Sequence, residues 1–293
     1  MIPRVDATLV LDARAELAEG PLWDVSTRTL LWVDIMRGVV HRYEPISQRT
    51  ESFEVGQPVG AVVPRATGGL VVAMRDGFAY LDPASGRVDL IAPIEQDKPH
   101  QRMNDGSCDA QGRFWAGTMA LDCTPGAGSL YRLDPDERAH RVLADVTVSN
   151  GIDWSLDGRT MYYADTGTQR IDVFDFEPET GAIANRRPFV HVAREDGQPD
   201  GLTVDAEGCV WVALWEGSAV RRYTSDGNLD RIICLPVTHP TSCAFGGPDL
   251  CDLYITTAAV ALSAAERAKQ PHAGGLFHVR PGVTGRPAHV FGA

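Results

Sequence analysis

The chain has little of what would mark a helical, membrane-spanning or disulfide-stapled protein. Helical periodicity is scarce, and only ALSAAERAKQ, Ala261–Gln270, carries it. No apolar run is long enough to span a bilayer. The N-terminal MIPRVDATLVLDARAELAEG sets Arg4, Asp6, Asp12 and Arg14 among its apolar residues, so it does not read as a secretory leader. Six cysteines (Cys108, Cys123, Cys209, Cys234, Cys243, Cys251) form no CxxC pair and lack the density of a disulfide scaffold. Reduced thiols and a cytoplasmic location are the expectation. Basic runs stop at Arg186-Arg187 and Arg221-Arg222, and 39 acidic against 27 basic residues leave a net charge of −12. That balance argues against a nucleic-acid groove and against an anionic membrane surface. No linker or low-complexity stretch divides the 293 residues, so one domain over 1–293 is expected. The apolar fraction of 44% is enough for a core.

What the chain does have is a phrase that returns six times. The copies are EGPLWDVSTRTLLWVDI from Glu19, GAVVPRATGGLVVAM from Gly60, NDGSCDAQGRFWAGT from Asn104, NGIDWSLDGRTMYYADT from Asn150, DGLTVDAEGCVWVAL from Asp200 and TSCAFGGPDLCDLYITT from Thr241. Gly60 to Val71, Asn104 to Trp115 and Asp200 to Trp211 are each eleven steps; Glu19 to Trp32, Asn150 to Tyr163 and Thr241 to Tyr254 are each thirteen. The two extra residues fall in the turn, where length is cheap to change. Hairpin signals such as Asp76-Gly77, Gln111-Gly112, Asp157-Gly158 and Glu207-Gly208 separate runs that alternate, as in Leu30–Trp32–Asp34 and Val210–Val212–Leu214. A period of roughly 40–50 residues with four strands each predicts an all-β fold. The expected architecture is a six-bladed β-propeller of four-stranded antiparallel blades around a central channel. Closure is expected from an early strand, Val5–Leu11, pairing with the last unit at Leu276–Val279 and His289–Phe291, because an open edge invites association.

Glu19, Gly60, Asn104, Asn150, Asp200 and Thr241 are thus one equivalent position in six units. In a propeller such positions converge on the channel. Four of them, Glu19, Asn104, Asn150 and Asp200, carry oxygen-bearing side chains suited to a hard cation, and no His joins them. For Asn150-Gly151 and Asp200-Gly201 the competing reading is a turn in which the side chain caps its own backbone. Trp32, Trp115 and Trp211 read as core. Trp215 is open between packing and the channel wall. His100 and His239 read as ordinary surface residues, and Asp153 and Asp165 as turn or ladder-end partners.

AEGPLW around Glu19, SNGIDWSLDG around Asn150 and QPDGLTVDAEG around Asp200 resemble the senescence-marker-protein/gluconolactonase/luciferin-regenerating enzyme family, the regucalcin-like sugar lactonases. RMNDGSCDAQGRFWAGTM (Arg102–Met119), GSLYRLD, TSCAFGGPDL and AGGLFHV resemble it too, so the likeness runs from about Glu16 to Phe291. The resemblance implies a six-bladed propeller holding one divalent cation on Glu19, Asn150 and Asp200, with Arg102 and Asn104 binding substrate. It departs where some relatives carry an acidic residue after GTMA. Here Leu121 and Asp122 open a short loop, DCTPGAG, which bears on sugar preference and not on the cation set.

Such a site suits lactone hydrolysis. A dication polarises the carbonyl and acidifies water, and three protein ligands leave positions open. All-oxygen ligands favour Ca²⁺, Mg²⁺ or Mn²⁺, with Zn²⁺ and Fe²⁺ admitted. Asp200 is the candidate general base; alternatively it only positions a hydroxide held by the cation, since a neighbouring cation depresses carboxylate basicity. The guanidinium of Arg102 and the amide of Asn104 would orient polyol hydroxyls. The expected activity is opening of an aldono-γ- or δ-lactone to the aldonic acid in carbohydrate metabolism, with no nucleic-acid or membrane partner, and a monomer is compatible with the pattern. The alternatives are a hydrolase of non-sugar lactones or phosphotriesters on the same site, and a cation-binding or interaction propeller without activity.

Overall fold

In the computed structural model, which describes residues 2–292, every repeated phrase forms an innermost strand and the strand hydrogen-bonded to it. The innermost strands are Ala18–Asp24, Val59–Pro64, Gln101–Cys108, Ser149–Trp154, Gln198–Val204 and Pro240–Gly246. Each begins a sheet whose following strands run outward in chain order, except that strands from the N-terminal segment form the outer edges of the last two sheets. Neighbouring innermost strands pack on one another, and the sixth packs on the first. The result is a six-bladed β-propeller, numbered here as blades one to six in chain order.

The second strand of a blade shows why the apolar runs are so continuous. In Thr29–Asp34, Leu31 and Val33 join the apolar cluster of blade two, while Leu30 and Trp32 pack with Tyr254 and Leu276 of blade six. In Val210–Trp215, Val210, Val212 and Leu214 face blade four and Trp211 and Ala213 face blade six. A sheet covered on both faces reads as unbroken apolar sequence and not as simple alternation. Trp32, Trp115 and Trp211 are fully buried in these interfaces.

Closure follows the sequence expectation in part. Thr8–Leu11 pairs antiparallel with Leu276–Val279 and completes blade six. The predicted early strand is split, however. Arg4–Asp6 leaves it and adds in parallel to the outer edge of blade five, against Ile232–Cys234. The C-terminal segment also departs from expectation. His289–Phe291 does not pair with the last blade; Phe291 bridges Arg65 of blade two and is buried in that blade's apolar cluster. On the way, Arg286 donates to Asp153 Oδ1 (3.0 Å), to the Trp154 carbonyl (2.9 Å) and to the Val204 carbonyl (3.1 Å). The tail thus crosses the channel end where the innermost strands finish, and Asp153 is its anchor. The expected helix is shorter than the periodic segment: Ala264–Lys269, capped by Ser263 with a reciprocal Glu266 contact.

Candidate functional site

All six innermost strands carry the same irregularity. The ladder to the second strand slips between Glu19 and Leu22, Val59 and Ala61, Met103 and Gly106, Ser149 and Ile152, Pro199 and Leu202, and Pro240 and Ser242. Each slip leaves one extra residue on the innermost strand, which is a β-bulge. The equivalent position that the repeat identifies lies inside the bulge in five blades and borders it in the first, where Glu19 still pairs with Val33. Asn150-Gly151 and Asp200-Gly201 lie inside strands, so the turn-capping reading is set aside. The glycines answer to packing instead. A Cβ on Gly151 would stand 2.5 Å from the Leu202 nitrogen, and one on Gly201 would strike the Ser242 side chain. Bare backbone lets successive blades close on one another beside the bulge.

The side chains at these positions meet as a buried polar group. Glu19, Asn104, Asn150 and Asp200 are all at most 5% exposed, and Arg102 is 6% exposed. Arg102 Nη1 donates to Asn104 Oδ1 at 2.6 Å and to the Met103 carbonyl at 3.1 Å. Asn104 Nδ2 donates to Asn150 Oδ1 at 2.8 Å and to the Ser149 carbonyl at 2.6 Å. Asn150 Nδ2 donates to Thr166 Oγ1 at 2.7 Å. Glu19 and Asp200, from blades one and five, come within hydrogen-bonding reach of each other, and Asp200 Oδ1 is buried with no partner. Burial pushes the Glu19 carboxyl well above its ordinary range, helped by the charges of Asp200 and Asp105. Burial and the charge of Asp105 do the same to Asp200. Burial draws Arg102 down to about 10, against the pull of Glu19 and, more weakly, Cys123 and Asp200.

Asp105 is the residue that sequence reasoning missed. It is 7% exposed, and burial pushes its carboxyl up to about 6. Strand alternation sends Asn104 and Asp105 to opposite faces. The bulge between Met103 and Gly106 breaks that alternation, so both side chains are buried at the channel. Asp105 also lines a cavity of about 90 Å³ farther along the channel, with Ser107, Asp153, Thr203 and Ser242, which the C-terminal tail borders at His289. His239 differs from expectation as well: it is buried, stacked on Trp215 with ring centroids 4.1 Å apart. His100 is exposed, as expected.

Three carboxyls against one guanidinium, all buried, leave excess negative charge that protons or a cation must offset. An orphaned carboxylate oxygen, a facing carboxylate and an ordered amide oxygen are a donor set that fits a hard dication. A second gathering, Asp205, Glu207 and Cys209, has superficially suitable spacing. Its carboxylates are already engaged. Arg222 donates to Asp205 (2.8 Å), Glu207 (2.5 Å) and Asp230 (2.7 Å), and Trp211 Nε1 donates to Asp205 (2.8 Å). That group is an ion-pair hub in blade five. Asp205→Ala is expected to cost about 3–5 kcal/mol of stability, the usual result of breaking a buried pair. Urea unfolding checks it, and a loss below about 1 kcal/mol would contradict this role.

The ring of bulged strands around a buried acidic, amide-bearing group places the chain among six-bladed β-propellers with a polar channel end. The family model for the SMP-30/gluconolactonase/LRE-like region matches residues 17–259, and the chain belongs to that family. It is 39% identical to regucalcin of Danio rerio over 286 residues, covering 96% of this chain and 97% of that one. The crystal structure of a calcium-binding protein, regucalcin, from Agrobacterium tumefaciens str. C58 superposes with a TM-score of 0.94 at 29% identity, covering 99% of each chain. A gluconolactonase from Xanthomonas campestris superposes with a TM-score of 0.73 at 25% identity, covering 93% of this chain and 88% of that one. Among the described residues no helix is long and apolar enough to cross a membrane.

Proposed function

We propose that this protein is a cation-dependent lactonase that opens an aldono-γ- or δ-lactone to the aldonic acid. The observation that carries the reading is the buried Glu19–Asp200 carboxyl pair, with its unpartnered Asp200 Oδ1, beside the ordered Asn150 amide and the Arg102 guanidinium. Glu19, Asn150 and Asp200 would hold one divalent ion, and hard oxygen donors favour Ca²⁺, Mg²⁺ or Mn²⁺ over Zn²⁺ or Fe²⁺. The calcium-binding character of the Agrobacterium regucalcin and the activity named for the Xanthomonas gluconolactonase support the reading. When bound, the cation supplies Lewis acidity for the ester carbonyl and for water.

The chain's own groups do the rest. Both hydrogen bonds of Arg102 among the described residues come from Nη1, so its Nε and Nη2 donors are available to substrate hydroxyls. Asn104 is held by Arg102 on its oxygen and by Ser149 and Asn150 on its nitrogen. It gives that side of the pocket a fixed shape. Asp200 orients the water and takes its proton as the water oxygen attacks the carbonyl carbon. The ring C–O bond then breaks, and the ring oxygen takes that proton back from Asp200 to become a hydroxyl of the product acid.

Acid release from a panel of pentono- and hexonolactones tests the reading, with spontaneous δ-lactone opening subtracted. Chelation is expected to abolish release, and at least one re-added cation to restore it. No release from any lactone with any cation would overturn the proposal in favour of a binding propeller. Faster turnover of an aryl phosphotriester would move it to another ester class.

A further inference from the structure

The Asn150 amide is oriented by a residue outside the repeated innermost positions. Thr166 opens the short turn that follows the second strand of blade four, Thr160–Asp165. Its hydroxyl donates to the Pro199 carbonyl at 2.8 Å. A carbonyl only accepts, so the single hydroxyl proton is committed there. Thr166 Oγ1 can then offer Asn150 only a lone pair, and the end of the amide that meets it at 2.7 Å must be the NH₂ group. The other end is fixed in the same sense. Asn104 Oδ1 takes the proton of Arg102, which has none but donors, so Asn104 presents its NH₂ group to Asn150 Oδ1. The two constraints agree. Asn150 Oδ1 accepts one hydrogen bond and keeps a lone pair.

The same hydroxyl joins two blades. Pro199 is the residue immediately before Asp200, so Thr166 ties the Asn150 side chain of blade four to the peptide that presents the Asp200 carboxyl in blade five. The turn is itself anchored. Asp165 accepts from the backbone of Thr147 (3.1 Å) and Val148 (2.9 Å), which lead into the strand carrying Asn150.

We propose that Thr166 is a positioning residue for the cation centre, setting the Asn150 oxygen and its spacing from Asp200. This rests on the reading of Glu19, Asn150 and Asp200 as the cation-holding set. Outer-shell partners of this kind typically carry ten- to hundredfold in metal affinity. The test is calorimetric titration of the chelated full-length protein with Ca²⁺ and, separately, Mn²⁺, for the wild type, Thr166→Val, Thr166→Ala and Thr166→Ser. Thr166→Val and Thr166→Ala are expected to raise the dissociation constant roughly 10–100-fold, and Thr166→Ser to stay within about threefold of wild type. Thermal unfolding of the chelated proteins separates this from a packing role, which would lower the melting temperature and leave affinity unchanged. Wild-type affinity in Thr166→Ala, or a loss in Thr166→Ser as large as in Thr166→Val, would overturn the proposal while leaving the centre standing. A wild type that binds neither cation would remove the centre and the proposal together.

Discussion

Asp200→Asn is expected to leave a weakly held cation in the channel and to slow lactone opening by roughly 10²–10⁴-fold, the range for removing a positioned base. The amide keeps one oxygen toward the ion and cannot take a proton. Asp200→Ala removes both capacities, so cation occupancy and turnover should fall together toward background. The reason for so large an effect is the setting of the carboxylate. It is 5% exposed, faces Glu19 from another blade and has an oxygen with no protein partner. Occupancy and turnover measured on the same samples distinguish the roles. Asn with full turnover would exclude proton transfer to Asp200 and leave it as a positioning ligand. Ala with full occupancy and full turnover would exclude Asp200 from both.

Removing the cation is expected to destabilise the protein in a pH-dependent manner. Glu19 and Asp200 titrate well above an ordinary carboxylate, and Asp105 at about 6, in each case through burial first. Between an ordinary carboxylate value near 4 and these raised values, the folded chain therefore holds protons that the unfolded chain has released. Stability of the chelated protein should fall as pH rises through that window, beginning near 4 and, for Asp105, ending a little above about 6. A dication supplies the positive charge that protons provide at low pH. Its stabilisation should accordingly be larger at pH 8 than at pH 5. At a hundredfold excess over the dissociation constant the gain is about 2.7 kcal/mol, or roughly 4–5 °C in melting temperature for a chain of this size. Thermal unfolding with and without cation at both pH values checks the prediction. Equal melting temperatures at pH 8 would contradict it.

The ring itself was legible because six copies of one phrase, aligned by eleven- or thirteen-step spacings, left no other arrangement for the equivalent positions. Glu19, Asn104, Asn150 and Asp200 could be picked out for the same reason, and Arg102 entered through family likeness. Asp105 could not be picked out. It follows Asn104 directly, and a regular strand would have turned it away from the channel. Thr166 was also hidden, because it lies on a turn sixteen residues beyond Asn150 and reaches a carbonyl of the next blade. The path of the tail was hidden in the sequence for a related reason. His289–Phe291 has strand-like composition, but its partner, blade two, is more than two hundred residues earlier.

Local pattern alone determined that the chain forms short strands in six repeats and that oxygen-bearing side chains recur at one phase of the repeat. That information resides in spacing, which a one-dimensional reading preserves. Which neighbours those side chains meet was decided only by the tertiary structure. A one-residue bulge resets the facing of every side chain after it, and hydrogen bonds between blades orient the amides. Both effects depend on contacts between segments far apart in the chain.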